Sequence, residues 1–260
     1  MKKILAFTLA EVLIVIGILG VVAALTIPTL NSEAGSKEKV TRLKKSYSVL
    51  TDAFDRMMAD MGPLDEIYSS LDLADAGYAS VAINSKIASY MKTSNVCGGT
   101  ASGGNGTATT NCNAAAYALS SAGASATINT YPGFVLTDGS SVSFNLNASC
   151  STNDKIPGNT NVCGMMYVDV DGKDKGKNTA GYDVFAYYVT TDRITPVGLQ
   201  DDTNAKCLDG GNVATGYALS GCTGWVITNG NEDYTNGDPL HCAKGGGALS
   251  WDKGMTSCIK

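Results

Sequence analysis

The chain has 260 residues, a formal charge of −5, 30 glycines, eight cysteines and a single histidine. Its acidity argues against a nucleic-acid coat over the whole surface. One histidine and no C-x-x-C pair leave a zinc cluster poorly supplied.

The first element is a leader, MKKILA, followed by the apolar run FTLAEVLIVIGILGVVAALTI at residues 7–27. A run of roughly 20 residues is what a helix needs to cross ~30 Å of hydrocarbon. Glu11 alone breaks it, and an acid at that depth costs about 2.5 to 3.5 kcal/mol on insertion scales, so it needs a partner or a task. A secretory signal would use Val22-Ala23-Ala24 as its cleavage site, but its apolar core is shorter and carries no acid. A plain anchor has no use for Glu11.

The segment closely resembles the N-terminus of type IV pilins and type II secretion pseudopilins. That resemblance implies removal of the leader between Ala6 and Phe7 by a prepilin peptidase and N-methylation of Phe7. The family usually carries glycine before the cut, and Ala6 stands there in this chain. Glu11 falls on the family's fifth mature residue, Pro28 on a helix-kinking proline, and Gly20 where the helix often loosens in filaments. In physical terms, a new amine at Phe7 could pair with Glu11 of a neighbouring subunit. Both charges would then be neutralised where either alone is unfavourable. Gly20 and Ala24 form a small-x-x-x-small pair that lets helices approach closely in lipid.

A second helix is expected from Lys37 to Met61. Val40, Leu43, Tyr47, Leu50, Phe54, Met57 and Met61 fall three and four residues apart and make an apolar stripe. Joined through Pro28, the two helices would form a stem of ~80 Å at about 1.5 Å per residue, ended by Gly62-Pro63. The bases Lys37, Lys39, Arg42, Lys44 and Lys45 follow the apolar run and outnumber the leader's two lysines. A positive-inside count would place the body in the cytoplasm, whereas eight cysteines point to an oxidising compartment beyond the membrane.

Residues 80–93 read as a short helix with Val81, Ile87, Tyr90 and Met91 on its buried side. Strands follow at residues 134–137 and 141–146 around Asp138-Gly139, a strong hairpin signal. Further strands are expected at 165–170, 183–190 and 194–197, with Trp225-Val226-Ile227 as another edge. The cysteines read as structural disulfides. Eight allow on the order of a hundred pairings, and nearest neighbours give Cys97–Cys112, Cys150–Cys163, Cys207–Cys222 and Cys242–Cys258. Each would close a short loop and add ~3 kcal/mol by the chain-entropy argument.

The best motif in the body is VDVDGKDKGKNTAGYDVF at residues 168–185, similar to a loop found in many pseudopilin-like proteins, some of which bind calcium there. Asp169, Asp171, Asp174, Asn178 and Asp183 are hard oxygen ligands suited to Ca²⁺. The spacing fails the EF-hand template, and Lys173, Lys175 and Lys177 would repel a cation. The competing reading is a long turn using Asp, Asn and Gly for backbone freedom. His241 beside Cys242 lacks the free thiol of a nucleophile pair, and no G-x-S-x-G elbow occurs, so no enzymatic activity and no resident cofactor other than Ca²⁺ are expected.

These readings combine into an α+β fold of pilin-like type, a long N-terminal helix on an antiparallel sheet with disulfide-bonded loops. The divisions are a leader at 1–6, a membrane and assembly helix at 7–30, an amphipathic helix at 31–62 and a β-rich extracytoplasmic body at 63–260. The expected function is structural: a minor pilin or pseudopilin of a type IV pilus or type II secretion pseudopilus. Its expected partners are the prepilin peptidase, other subunits and an inner-membrane assembly platform, with nucleic acid unlikely on charge grounds. The expected location is the inner membrane in a single pass, N-terminus in and body out, and then a filament. The alternative is a membrane-tethered or secreted disulfide-rich binding module.

Overall fold

A computed structural model describes residues 8–71, 76–100, 131–152, 161–199 except 174 and 177, 201–202 and 222–235, with Thr107–Ala108, Cys112, Tyr117–Ala118 and Ser125–Ala126. The chain divides into two compact units, Met1–Glu38 and Lys39–Lys260. Helix α1 (Leu9–Met61) supplies the first unit's regular structure and continues into the second. The expected two helices are therefore assigned as one, with helical backbone at Pro28. Proline lacks the N–H that would bond the carbonyl one turn back, but the turns on either side keep their own ladder.

In the second unit α1 ends as the sequence suggests: Gly62 takes φ +87°, and Pro63 is the N-cap of α2 (Leu64–Ser70). Helix α2 was not expected. Its three buried side chains, Leu64, Ile67 and Tyr68, are too few to show a period. Helix α3 spans Ala76–Ser89, a few residues earlier than read. Ile83 and Ile87 are fully buried while Val81, Tyr90 and Met91 are only half-buried. The apolar phase was set by Ala79, Ile83 and Ile87, and small or polar neighbours (Ser80, Asn84) share the buried side.

Among the described residues ten strands follow: β1 (Thr93–Cys97), β2 (Gly99–Thr100), β3 (Thr107–Ala108), β4 (Tyr117–Ala118), β5 (Ser125–Ala126), β6 (Gly133–Leu136), β7 (Ser141–Thr152), β8 (Asn161–Asp169), β9 (Val184–Thr190) and β10 (Ile194–Pro196). Six of them form an antiparallel sheet in the order β1-β6-β7-β8-β9-β10, and β2-β3 and β4-β5 are separate two-stranded ladders. The Asp138-Gly139 hairpin forms between β6 and β7, with the Gly139 N–H donating to the Leu136 carbonyl at 3.0 Å. The proline of β10 sits on an edge strand, where a missing N–H costs no ladder bond.

Alternation sorts the sheet's side chains by face. Phe144, Val168, Phe185, Tyr187 and Val189 join the buried stripe of α1 (Val40, Leu43, Leu50, Phe54, Met57) in the main core. Met165, Tyr167, Val184, Ala186 and Tyr188 form a second apolar cluster. Both faces of β9 are thus covered, which is why FAYYV reads as a continuous apolar run. Tyr47 of α1 stacks on Tyr187 of β9, ring centroids 5.4 Å apart.

The expected edge strand at Trp225 is instead helix α4 (Thr223–Asn229), closed by Gly230 in the left-handed conformation. Short apolar runs do not separate strand from helix by periodicity. Here Gly224 decides: its N–H bonds the Val197 carbonyl at 2.8 Å, and a Cβ there would collide with the backbone of Gly198 and Leu199. Trp225 is buried and its indole N–H donates to Asn231 Oδ1 at 2.9 Å, a core role.

Two disulfides, Cys97–Cys112 and Cys150–Cys163, join the expected nearest neighbours. Cys222 is also disulfide-bonded. Cys207, Cys242 and Cys258, like His241, lie outside the described residues.

Candidate functional site

Two regions carry groups that burial or chain statistics alone do not explain. The first is the start of α1. Among the described residues, Leu9–Thr26 is long and apolar enough to cross a membrane, and none of it is buried against the rest of the chain. A membrane anchor and an export signal share that property. Ala6 and Phe7, the expected cleavage pair, lie outside the described residues. Glu11 occupies the first turn, where its carboxylate accepts from the Thr8 backbone N–H and from Thr8 Oγ, both at 2.8 Å. In return the Glu11 N–H donates to Thr8 Oγ at 3.2 Å.

Thr8-Leu9-Ala10-Glu11 is thus a capping box, which satisfies two orphan donors of the helix start reciprocally. Sequence reasoning had assigned Glu11 to a neighbour and passed over Thr8, although T-x-x-E before an apolar run is the usual signal. The box gives Glu11 a partner within its own chain. It also orients the acid at the point where the helix dipole favours negative charge. Gly17 and Gly20 are open: a Cβ at either would meet nothing within 4 Å.

The second region is the loop between β8 and β9, where the structure gathers four of the five acidic-loop candidates. Asp169, at the end of β8, is 2 % exposed and accepts the Gly172 N–H at 2.9 Å. Asp183 is fully buried and accepts the N–H groups of Asn178 and Thr179. Gly176, at φ +68°, lies between the carboxylates of Asp171 and Asp183, and a Cβ there would run into both. Asn178 is the one described non-glycine residue at positive φ, +46°. Asp174 lies outside the described residues.

Burial pushes the Asp169 carboxyl up to about 8, and a hydrogen bond shared with Asp171 and the charge of Asp183 push the same way. Asp171 Oδ1 and Asn178 Oδ1 are buried atoms with no hydrogen-bond donor. Crowded acids with orphaned oxygens can be settled by a shared proton or by a hard cation. Among the described residues no three carboxyl, imidazole or thiol side chains form a ready-made metal cluster.

The basic residues after the apolar run, whose position conflicted with the cysteines, have structural work in the folded body. Lys39 Nζ lies 3.1 Å from the Tyr182 ring centroid and donates to the Tyr182 carbonyl. Arg42 donates to the Val170 carbonyl, and Lys45 pairs with Asp138 at 3.1 Å. These bases hold α1 against the acidic loop and the β6–β7 turn.

Comparison with known proteins identifies no relative: no family model, curated protein or solved structure matches the chain.

Proposed function

We propose that this protein is a structural subunit of a type IV pilus or type II secretion pseudopilus, assembled through its N-terminal helix. The observation that carries the reading is one acid in the leading turn of an otherwise apolar, uncovered segment, Leu9–Thr26. Its four-residue offset from Phe7 matches the processed N-terminus of that family. A disulfide-bonded α+β body is consistent with residence beyond the membrane, where disulfides persist. On this reading a prepilin peptidase removes residues 1–6, and the Phe7 amine of one subunit meets Glu11 of another at an inner-membrane assembly platform.

Mass spectrometry of the mature protein tests this directly. N-methylated phenylalanine at position 7 is the expected terminus. A start near Leu25 would indicate ordinary signal cleavage and favour a secreted or tethered binding module.

A second reading concerns the β8–β9 loop. The orphaned Asp171 and Asn178 oxygens favour Ca²⁺, with Asp169, Asp171 and Asp183 as carboxylate ligands and Asn178 as a neutral one. Calcium would supply the charge that Asp169 otherwise obtains from a proton. Isothermal titration with calcium should show one site, lost in Asp171→Asn; silence in the titration rejects it.

A further inference from the structure

A groove of about 440 Å³ lies in the body between α1, the end of α3 and the β6–β7 turn. Lys45, Val49, Asp52 and Arg56 line it from α1, spaced as neighbours on one helix face. Tyr90, Met91 and Lys92 line it beyond α3, and Leu136 and Asp138 at the β6–β7 turn.

Three bases meet two acids in this lining. Lys45 pairs with Asp138 at 3.1 Å and Arg56 with Asp52 at 2.7 Å. Lys92 is exposed and, among the described residues, joins no ion pair. The groove thus holds a spare positive charge on a chain of net charge −5. The Lys45 and Arg56 side chains both reach solvent, where ion pairs exchange partners at little cost. Between the charges the lining is apolar: Val49 is 38 % exposed, and Tyr90 and Met91 are half-buried. Ser46, beside Lys45 in the lining, is buried with an Oγ that meets no hydrogen-bond partner among the described residues.

We infer that this groove binds an extended segment of a partner protein that carries a carboxylate two residues from an apolar side chain. That spacing puts both side chains on one face of an extended strand. The carboxylate pairs with Lys92, and the apolar side chain covers Val49 beside Met91. Lys45 to Arg56 covers about 16 Å of α1, the length of about five extended residues. The groove is open, so it does not enclose a small ligand as small-molecule sites do. Asp52 and Asp138 repel a polyanion, which argues against nucleic acid. The inference stands apart from the filament reading and uses no residue of the N-terminal segment.

The test uses the full chain in lipid nanodiscs and a labelled, end-capped pentapeptide of leucine, serine, glutamate, serine and leucine. Fluorescence anisotropy should show saturable binding, and a version with lysine in place of glutamate should not bind. Lys92→Glu should weaken the glutamate peptide about fivefold, the upper range for one exposed ion pair. Val49→Ser should weaken it about threefold through lost apolar contact.

A second measurement needs no variant. The Met91 methyl carbon resonance should shift with the glutamate peptide and stay in place with the lysine one. Equal binding of the two peptides, or a Met91 signal unmoved by the first, overturns the site. Displacement by polyphosphate marks a general anion patch and rejects the peptide reading. A changed oligomeric state in Lys92→Glu, with peptide binding intact, assigns the groove to a second copy and rejects it too.

Discussion

At the scale of single residues, Glu11 has two possible duties that substitution can pull apart. Glutamine keeps the capping hydrogen bonds and removes the charge, whereas alanine removes both. If the carboxylate pairs with a neighbour's amine, Glu11→Gln will stop assembly while leaving the helix intact, as read by filament yield and circular dichroism. Normal assembly by the glutamine variant would leave the capping box as the whole role of this residue. Asp169 gives a prediction of opposite character. Its carboxyl is raised in the folded state, so the native protein holds a proton that the unfolded chain has already released. The contribution of Asp169 to stability is therefore complete below pH about 4 and is lost as pH rises toward about 8. Melting temperatures across that window should fall without calcium and flatten with it if the cation takes the proton's place. The candidate acids were legible in sequence as oxygen ligands, but their burial was not, because the loop is held by tertiary contacts such as those of Lys39 and Arg42 with the Tyr182 and Val170 carbonyls, more than a hundred residues away.

Among the elements, sequence legibility followed the length of the apolar pattern. The stripe from Val40 to Met57 ran through five turns and was placed correctly. The β6–β7 hairpin was marked by its Asp-Gly turn, which demands the positive φ that Gly139 adopts. Helices α2 and α4, seven residues each, had no such signal, and α4 was mistaken for a strand. What fixes α4 is the close approach of Gly224 to Gly198, a tertiary fact without local trace. Phe54 lies fully buried in the α1 stripe, so Phe54→Ala should cost about 3–5 kcal/mol. Chemical denaturation followed by tryptophan fluorescence will measure it, and a loss below 1 kcal/mol would mean that the α1 stripe is not a principal part of the core.

For the whole molecule, disulfides secure segments around the sheet, with Cys97–Cys112 and Cys150–Cys163 joined among the described residues. Replacing Cys97 and Cys112 together by serine should cost about 3 kcal/mol. That corresponds to a melting temperature lower by about 6–12 °C for a domain of this size, measurable by calorimetry on the otherwise oxidised protein. An unchanged melting point would show that the loop they close contributes nothing to the folding transition.

The order of those links has a consequence for how the chain is made. Cys97 meets Cys112 and Cys150 meets Cys163, so each thiol joins the next one in the chain. A polypeptide emerging N-terminus first into an oxidising space presents each thiol to its proper mate before a rival appears. For these four thiols correct oxidation then requires no reshuffling, and α1 carries no cysteine that could compete for them.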